Sequence, residues 1–154
     1  MSMMGLTTFG AIMGFAAEMA GKTEEVYKTF VSKAGTQAVR EVLQGLAEEE
    51  GKNHALMVKA RRENVTEMIL EPVTGLQQED YEIALKMPEV MEDAGLLKAA
   101  LMLEERGKKF FQDASSKVPL PEVGRIFRKA AQKKEENLAR LQGLGLSQTL
   151  GNNS

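Results

Sequence analysis

The chain has 154 residues with 20 basic and 22 acidic side chains, a formal net charge of −2, and no cysteine. That length and balance fit one soluble globular domain, and exclude disorder and a dedicated nucleic-acid binder as working classes. The lack of cysteine excludes disulfides, Cys-ligated zinc, iron–sulfur clusters and thiol nucleophiles, and the wealth of Met, Ala, Leu, Glu and Lys favours helix.

The longest apolar stretch, Leu6 to Ala20, is too short to span a bilayer, follows no Lys or Arg, and is interrupted by Glu18. It predicts a buried helix of a cytoplasmic protein, with neither an export signal nor a membrane span. Chain punctuation predicts a first helix over 3–34, stopped at Gly35 with Lys33 in its last turn. Thr36 can cap a second over 36–70, which Pro72 and Gly75 end. Residues 71–92 read as a crossover with a short helical piece around Asp80–Lys86. Asp93 can cap a third helix over 93–116, and Pro119 and Pro121 separate it from a fourth over 122–142. The Gly-, Asn- and Ser-rich residues 143–154 read as a flexible tail. Short links within pairs and a long one between them imply an all-α, antiparallel four-helix bundle of two hairpins joined by a crossover.

The two halves match at a constant offset of 84. Ile12, Met13, Ala16, Val26 and Tyr27 fall on Leu96, Leu97, Ala100, Phe110 and Phe111. Val39, Val42, Leu43, Ala47, Asn53 and Met57 fall on Val123, Ile126, Phe127, Ala131, Asn137 and Leu141. One register kept across two helices and a turn reads as an internal duplication.

Steps of three and four residues define the inward stripe of each helix. The first is Phe9, Ile12/Met13, Ala16, Ala20, Thr23, Tyr27, Phe30, and the second Val39, Leu43, Leu46, Glu50, Asn53, Met57. The third is Leu97, Ala100, Glu104, Gly107, Phe111, Ala114, and the fourth Val123, Phe127, Ala130, Lys134, Asn137, Leu141. Glu50, Asn53, Glu104, Lys134 and Asn137 therefore point into the core at matching heights. Such groups cost several kcal/mol to bury unless paired or bound to an ion. A Lys134 salt bridge to Glu104 or Glu50, with Asn53 and Asn137 hydrogen-bonding the rest, meets that cost. Glu18, Glu24, Glu25, Glu48 and Glu49 lie off the stripes and read as solvated.

On Ala16-Ala17-Glu18-Met19…Val26-Tyr27, Ala100-Leu101…Glu104…Phe110-Phe111, Leu46-Ala47-Glu48-Glu49-Glu50 and Ala130-Ala131…Lys134, the chain resembles the rubrerythrin-type domain of the ferritin-like superfamily over roughly residues 6–142. The resemblance implies a two-iron centre held by a Glu on each odd helix and a Glu-x-x-His on each even helix. Those positions are Ala20, Glu104, Glu50-x-x-Asn53 and Lys134-x-x-Asn137 here, so two carboxylates remain, no histidine does, and a cation replaces a ligand. A one-residue shift in the second helix would bring His54 and Gly51 into the motif. A Glu50-x-x-x-His54 pair with Glu104 is the remaining candidate for iron or another divalent metal. The family's usual four-cysteine rubredoxin partner domain is not expected in a chain without cysteine.

The expectation is thus a non-enzymatic structural or interaction protein, without cofactor, derived from a two-iron ancestor. The first alternative is a divergent di-iron or mono-metal oxidoreductase or iron-handling protein using Glu50, His54 and Glu104. The second is a bundle holding a small ligand in the space left by Ala20. A homodimer is expected, with Gly10, Gly14 and Gly21 as a close-approach seam and no nucleic-acid or membrane partner.

Overall fold

A computed structural model describes residues 6, 8–63, 75–82, 92–118 and 120–152, with side chains described to Gly145. Four helices dominate: α1 Phe9–Lys33, α2 Gln37–Glu63, α3 Asp93–Ser115 and α4 Pro121–Asn152, with a 3₁₀ turn at Gln78–Tyr81. α1 packs along α2 and α3 along α4, giving two antiparallel hairpins that close a four-helix bundle. α1 and α3 begin 84 residues apart, at Phe9 and Asp93; so do α2 and α4, at Gln37 and Pro121. The offset that aligns the halves in sequence also aligns their helix starts.

Local chemistry sets the helix ends. The Thr8 hydroxyl accepts from the Ala11 amide at the start of α1. The Thr36 hydroxyl accepts from the Val39 amide at the start of α2. Pro121 is the first residue of α4, where a missing N–H costs nothing. α1 stops one residue before extended Ala34, and Gly35 is not the left-handed cap expected there: Gly75 is the single positive-φ glycine among the described residues. Asp93 does not cap α3 either, whose N-cap is Glu92 without a side-chain bond. Its carboxylate crosses to the other hairpin, accepting from the Gly35 amide at 2.7 Å, the Thr36 amide at 3.0 Å and the Thr36 hydroxyl at 2.8 Å. These bonds place the C-terminal end of α1 beside the N-terminal end of α3, so those helices run in opposite directions.

α4 runs beyond the end expected at 142, to Asn152: no proline follows Pro121, and Leu144 still packs against the core beside buried Leu141. The second-helix residues expected beyond Glu63 lie outside the described residues. The short crossover helix forms earlier than expected, as the 3₁₀ turn ending at Tyr81; residues 83–86 of that expectation lie outside the described ones.

Every stripe residue is buried except Asn53 and Ala130, which are half-buried. The apolar core is nevertheless in two parts. One holds Phe9, Ile12, Met13, Met57, Phe110, Phe111 and Phe127, closed by Leu76 and Tyr81; Phe110 makes edge-on or tilted ring contacts with Phe15, Tyr81, Phe111 and Phe127. The other holds Tyr27, Phe30, Val39, Leu43, Leu96, Leu97 and Leu141. Between them lies a polar layer.

Candidate functional site: a buried charged layer

The Lys134 ammonium occupies the middle of that layer, 1% exposed. Its Nζ is 3.0 Å from Glu50 Oε2, 3.1 Å from Glu104 Oε2 and 3.5 Å from Glu49 Oε2. Glu104, fully buried, also accepts from the Tyr27 hydroxyl at 2.6 Å and from Asn137 Nδ2 at 2.9 Å. Asn137 Nδ2 donates at 2.8 Å to Glu49 Oε2 as well, so this amide lies between two carboxylates and must turn its NH₂ toward them. Asn53 Nδ2 donates to Glu50 Oε1 at 3.2 Å. All four helices contribute, through Tyr27, Glu49/Glu50/Asn53, Glu104 and Lys134/Asn137.

The electrostatics follow from burial and the count of charges. Burial pushes the Glu50 carboxyl above the ordinary carboxylate value; Lys134 opposes this and Glu104 adds to it. Burial alone would depress the Lys134 ammonium, but Glu50, Glu104 and Glu49 together outweigh it and hold its pKa above the ordinary lysine value. Burial, then the Glu104 carboxylate, raises the Tyr27 phenol well above its usual value. Both the Lys134 ammonium and the Tyr27 phenol thus hold their protons more tightly than they would in water.

A second cation stands beside the layer. Arg106 donates through Nη2 to Thr23 Oγ1 at 2.7 Å and through Nη1 to the Tyr81 carbonyl at 3.3 Å, and Thr23 donates in turn to the Met19 carbonyl at 2.7 Å. Arg106 thereby ties α3 to α1 and to the 3₁₀ turn. Burial lowers its pKa, while Glu50 leads the groups that oppose this.

Of the residues expected in the layer, Glu50, Asn53, Glu104, Lys134 and Asn137 come together. Ala20 is buried at 1% exposure but lines none of the clefts described on the surface, whose volumes are about 630, 550 and 410 Å³. His54 does not join Glu50 and Glu104. Its Nδ1 meets the Ala17 carbonyl at 2.8 Å, and its ring packs where a Cβ on Gly21 would stand 3.1 Å away. The shifted register is thus not adopted. Gly21 serves this approach within the chain, and a Cβ on Gly14 would lie 3.7 Å from the Arg61 guanidinium of α2.

Glu49 is a further correction: read as solvated, it is only 17% exposed at its side chain and bonds both Lys134 and Asn137. Glu24 is half-buried as well, with a carboxylate oxygen 2.8 Å from where a Cβ on Gly51 would lie. Tyr27 was legible as a stripe residue but not as a donor; the signal was its hydroxyl seven residues after Ala20 on the same face. Nothing in the spacing singled out Arg106.

The donor set does not fit a pair of irons. Metal ligands must present lone pairs to one point. Here an ammonium fills that point, one amide turns its NH₂ inward and the lone histidine faces a backbone carbonyl. Among the described residues, no group of three or more His, Asp or Glu side chains is arranged to hold a metal ion.

No family model matches the chain, and no curated protein matches it. A solved structure of a hypothetical protein from Pyrococcus furiosus is similar, with a TM-score of 0.66 and 24% identity over 87% of this chain and 85% of that one. That likeness speaks to the fold. Among the described residues, no helix is long and apolar enough to cross a membrane.

Proposed function

We propose that this chain is a ferritin-like bundle of the rubrerythrin type that has lost its two-iron centre and serves as a structural or interaction protein, not an enzyme. The observation that carries the reading is the Lys134 ammonium seated 3.0 and 3.1 Å from Glu50 and Glu104, the two carboxylates left at the family's metal positions. A fixed cation there satisfies the acids and repels an incoming metal. The changes elsewhere agree: Ala20 supplies no ligand atom, Asn137 is committed to two carboxylates, and His54 is committed to Ala17.

The test is elemental analysis of protein purified without chelator, with an optical spectrum after ferrous iron and oxygen. The expected result is sub-stoichiometric metal and no iron-dependent absorption. Stoichiometric iron that disappears in Glu50→Ala/Glu104→Ala would replace this reading with that of a divergent iron protein. Sedimentation of the same material reads the proposed homodimer.

A further inference from the structure

His54 is the only histidine of the chain, and its two ring nitrogens stand in different surroundings. Nδ1 lies 2.8 Å from the Ala17 carbonyl, which can only accept, so the neutral imidazole carries its proton on Nδ1 and its lone pair on Nε2. Gly21 seats the ring there: a Cβ on that residue would stand 3.1 Å from Nδ1 and 3.4 Å from Cε1. Nε2 has no hydrogen-bond partner among the described residues and is not sealed from solvent. An imidazole held in this tautomer presents a nucleophilic or ligating nitrogen at a fixed place.

The surroundings of Nε2 decide between those roles. His54 shares a cleft of about 410 Å³ with Val58, Lys59, Arg62 and Glu63 of α2. Side chains on a helix lean toward its N-terminus, so Lys59 and Arg62, one and two turns further on, lean back toward the ring. Two cations face one acid, and the Glu63 carboxylate is already 3.8 Å from Lys59 Nζ. A metal ion would meet that surplus of positive charge and gain few lone pairs. A phosphoryl group, with its negative oxygens, suits it.

We propose that His54 accepts a phosphoryl group on Nε2 from a donor of the phosphoramidate class, to which a phosphohistidine on another protein belongs. The Nε2 lone pair forms the new N–P bond as the donor's P–N bond breaks. The donor nitrogen leaves with that electron pair and the proton it already carries. Nδ1 keeps its proton and its bond to Ala17, so the ring takes up positive charge without leaving its seat, while Lys59 and Arg62 meet the phosphoryl oxygens. The inference stands apart from the charged layer and goes beyond the function proposed above.

The test uses the full chain and potassium phosphoramidate at about pH 8, above the ordinary imidazole value of about 6.5. Nitrogen NMR of the one histidine first reads the tautomer, and a proton on Nε2 overturns the proposal. Mass spectrometry then follows the gain of one acid-labile phosphoryl group. The native chain should react faster than the same chain unfolded in urea, with phosphorus NMR placing the group on Nε2. Lys59→Gln/Arg62→Gln removes two exposed cations and should slow the reaction of the native chain about tenfold. Equal rates for native and unfolded chains, a product on Nδ1, or an undiminished rate in that variant each overturn the proposal.

Discussion

Glu50 and Lys134 stand 84 residues apart, at equivalent places in the two hairpins, and their side chains meet at 3.0 Å. Positions related by the 84-residue offset thus face each other inside the bundle. A like-charged pair there would repel or require a bound cation; one acid and one base neutralise each other. The same asymmetry recurs alongside. Glu104 with its donor Tyr27 has Ala20 and Phe111 as counterparts, so one half lacks both the carboxylate and the phenol hydroxyl. Donor and acceptor are absent together, so neither is left without the other.

The carboxylates should differ in their importance. Glu104→Gln at neutral pH removes the charge that Lys134, Tyr27 and Asn137 all share, and is expected to cost about 3–5 kcal/mol, the range for breaking a buried pair. Glu50→Gln should cost less, because burial already disfavours its ionised form. Urea unfolding of both variants checks the order.

Gly107→Ala should destabilise although alanine is the better helix former by about 0.8–1.0 kcal/mol. The added Cβ would press on Lys134 Cε at 3.1 Å, and three carboxylates prevent the lysine from yielding. A net loss of about 1–3 kcal/mol is expected, as for overpacking. In a Lys134→Ala background the same substitution should turn neutral or favourable, a coupling that a double-mutant cycle measures.

The pH dependence should be alkaline. Lys134 has a folded pKa above its unfolded value of about 10.4, so its contribution is complete below that pH and is lost as pH rises through the folded value. Tyr27 is raised too, with the same sign, and acts above its unfolded value of about 10. Glu50 is raised as well; its contribution is complete below about pH 4.3 and shrinks as pH rises through its folded value. Acidification through the carboxylate range therefore gains stability at Glu50. Unfolding free energies between pH 8 and 11 should fall for the wild type and fall less for Tyr27→Phe.

Asp93→Ala should loosen one hairpin from the other. It removes the acceptor for the Gly35 and Thr36 amides and the Thr36 hydroxyl, at a cost of about 1–2 kcal/mol after solvent replaces part of the loss. Hydrogen exchange should rise most at those two amides, while the bonds among Glu50, Glu104 and Lys134 persist. Uniformly raised exchange across all four helices would argue against so local a role.

The four helices, their inward stripes, the repeat of 84 and five polar members of the layer are legible along the chain, because a helical period of 3.6 settles which side chains share a face. That Glu49 joins Lys134, that His54 turns to Ala17, that Asp93 reaches Gly35 and that α4 runs on to Asn152 emerges only once the helices are packed together. Residues at the margin of a stripe, or at a helix end, meet whatever the neighbouring helix brings to that height. Spacing along one helix carries no information about the rotation and offset of the next.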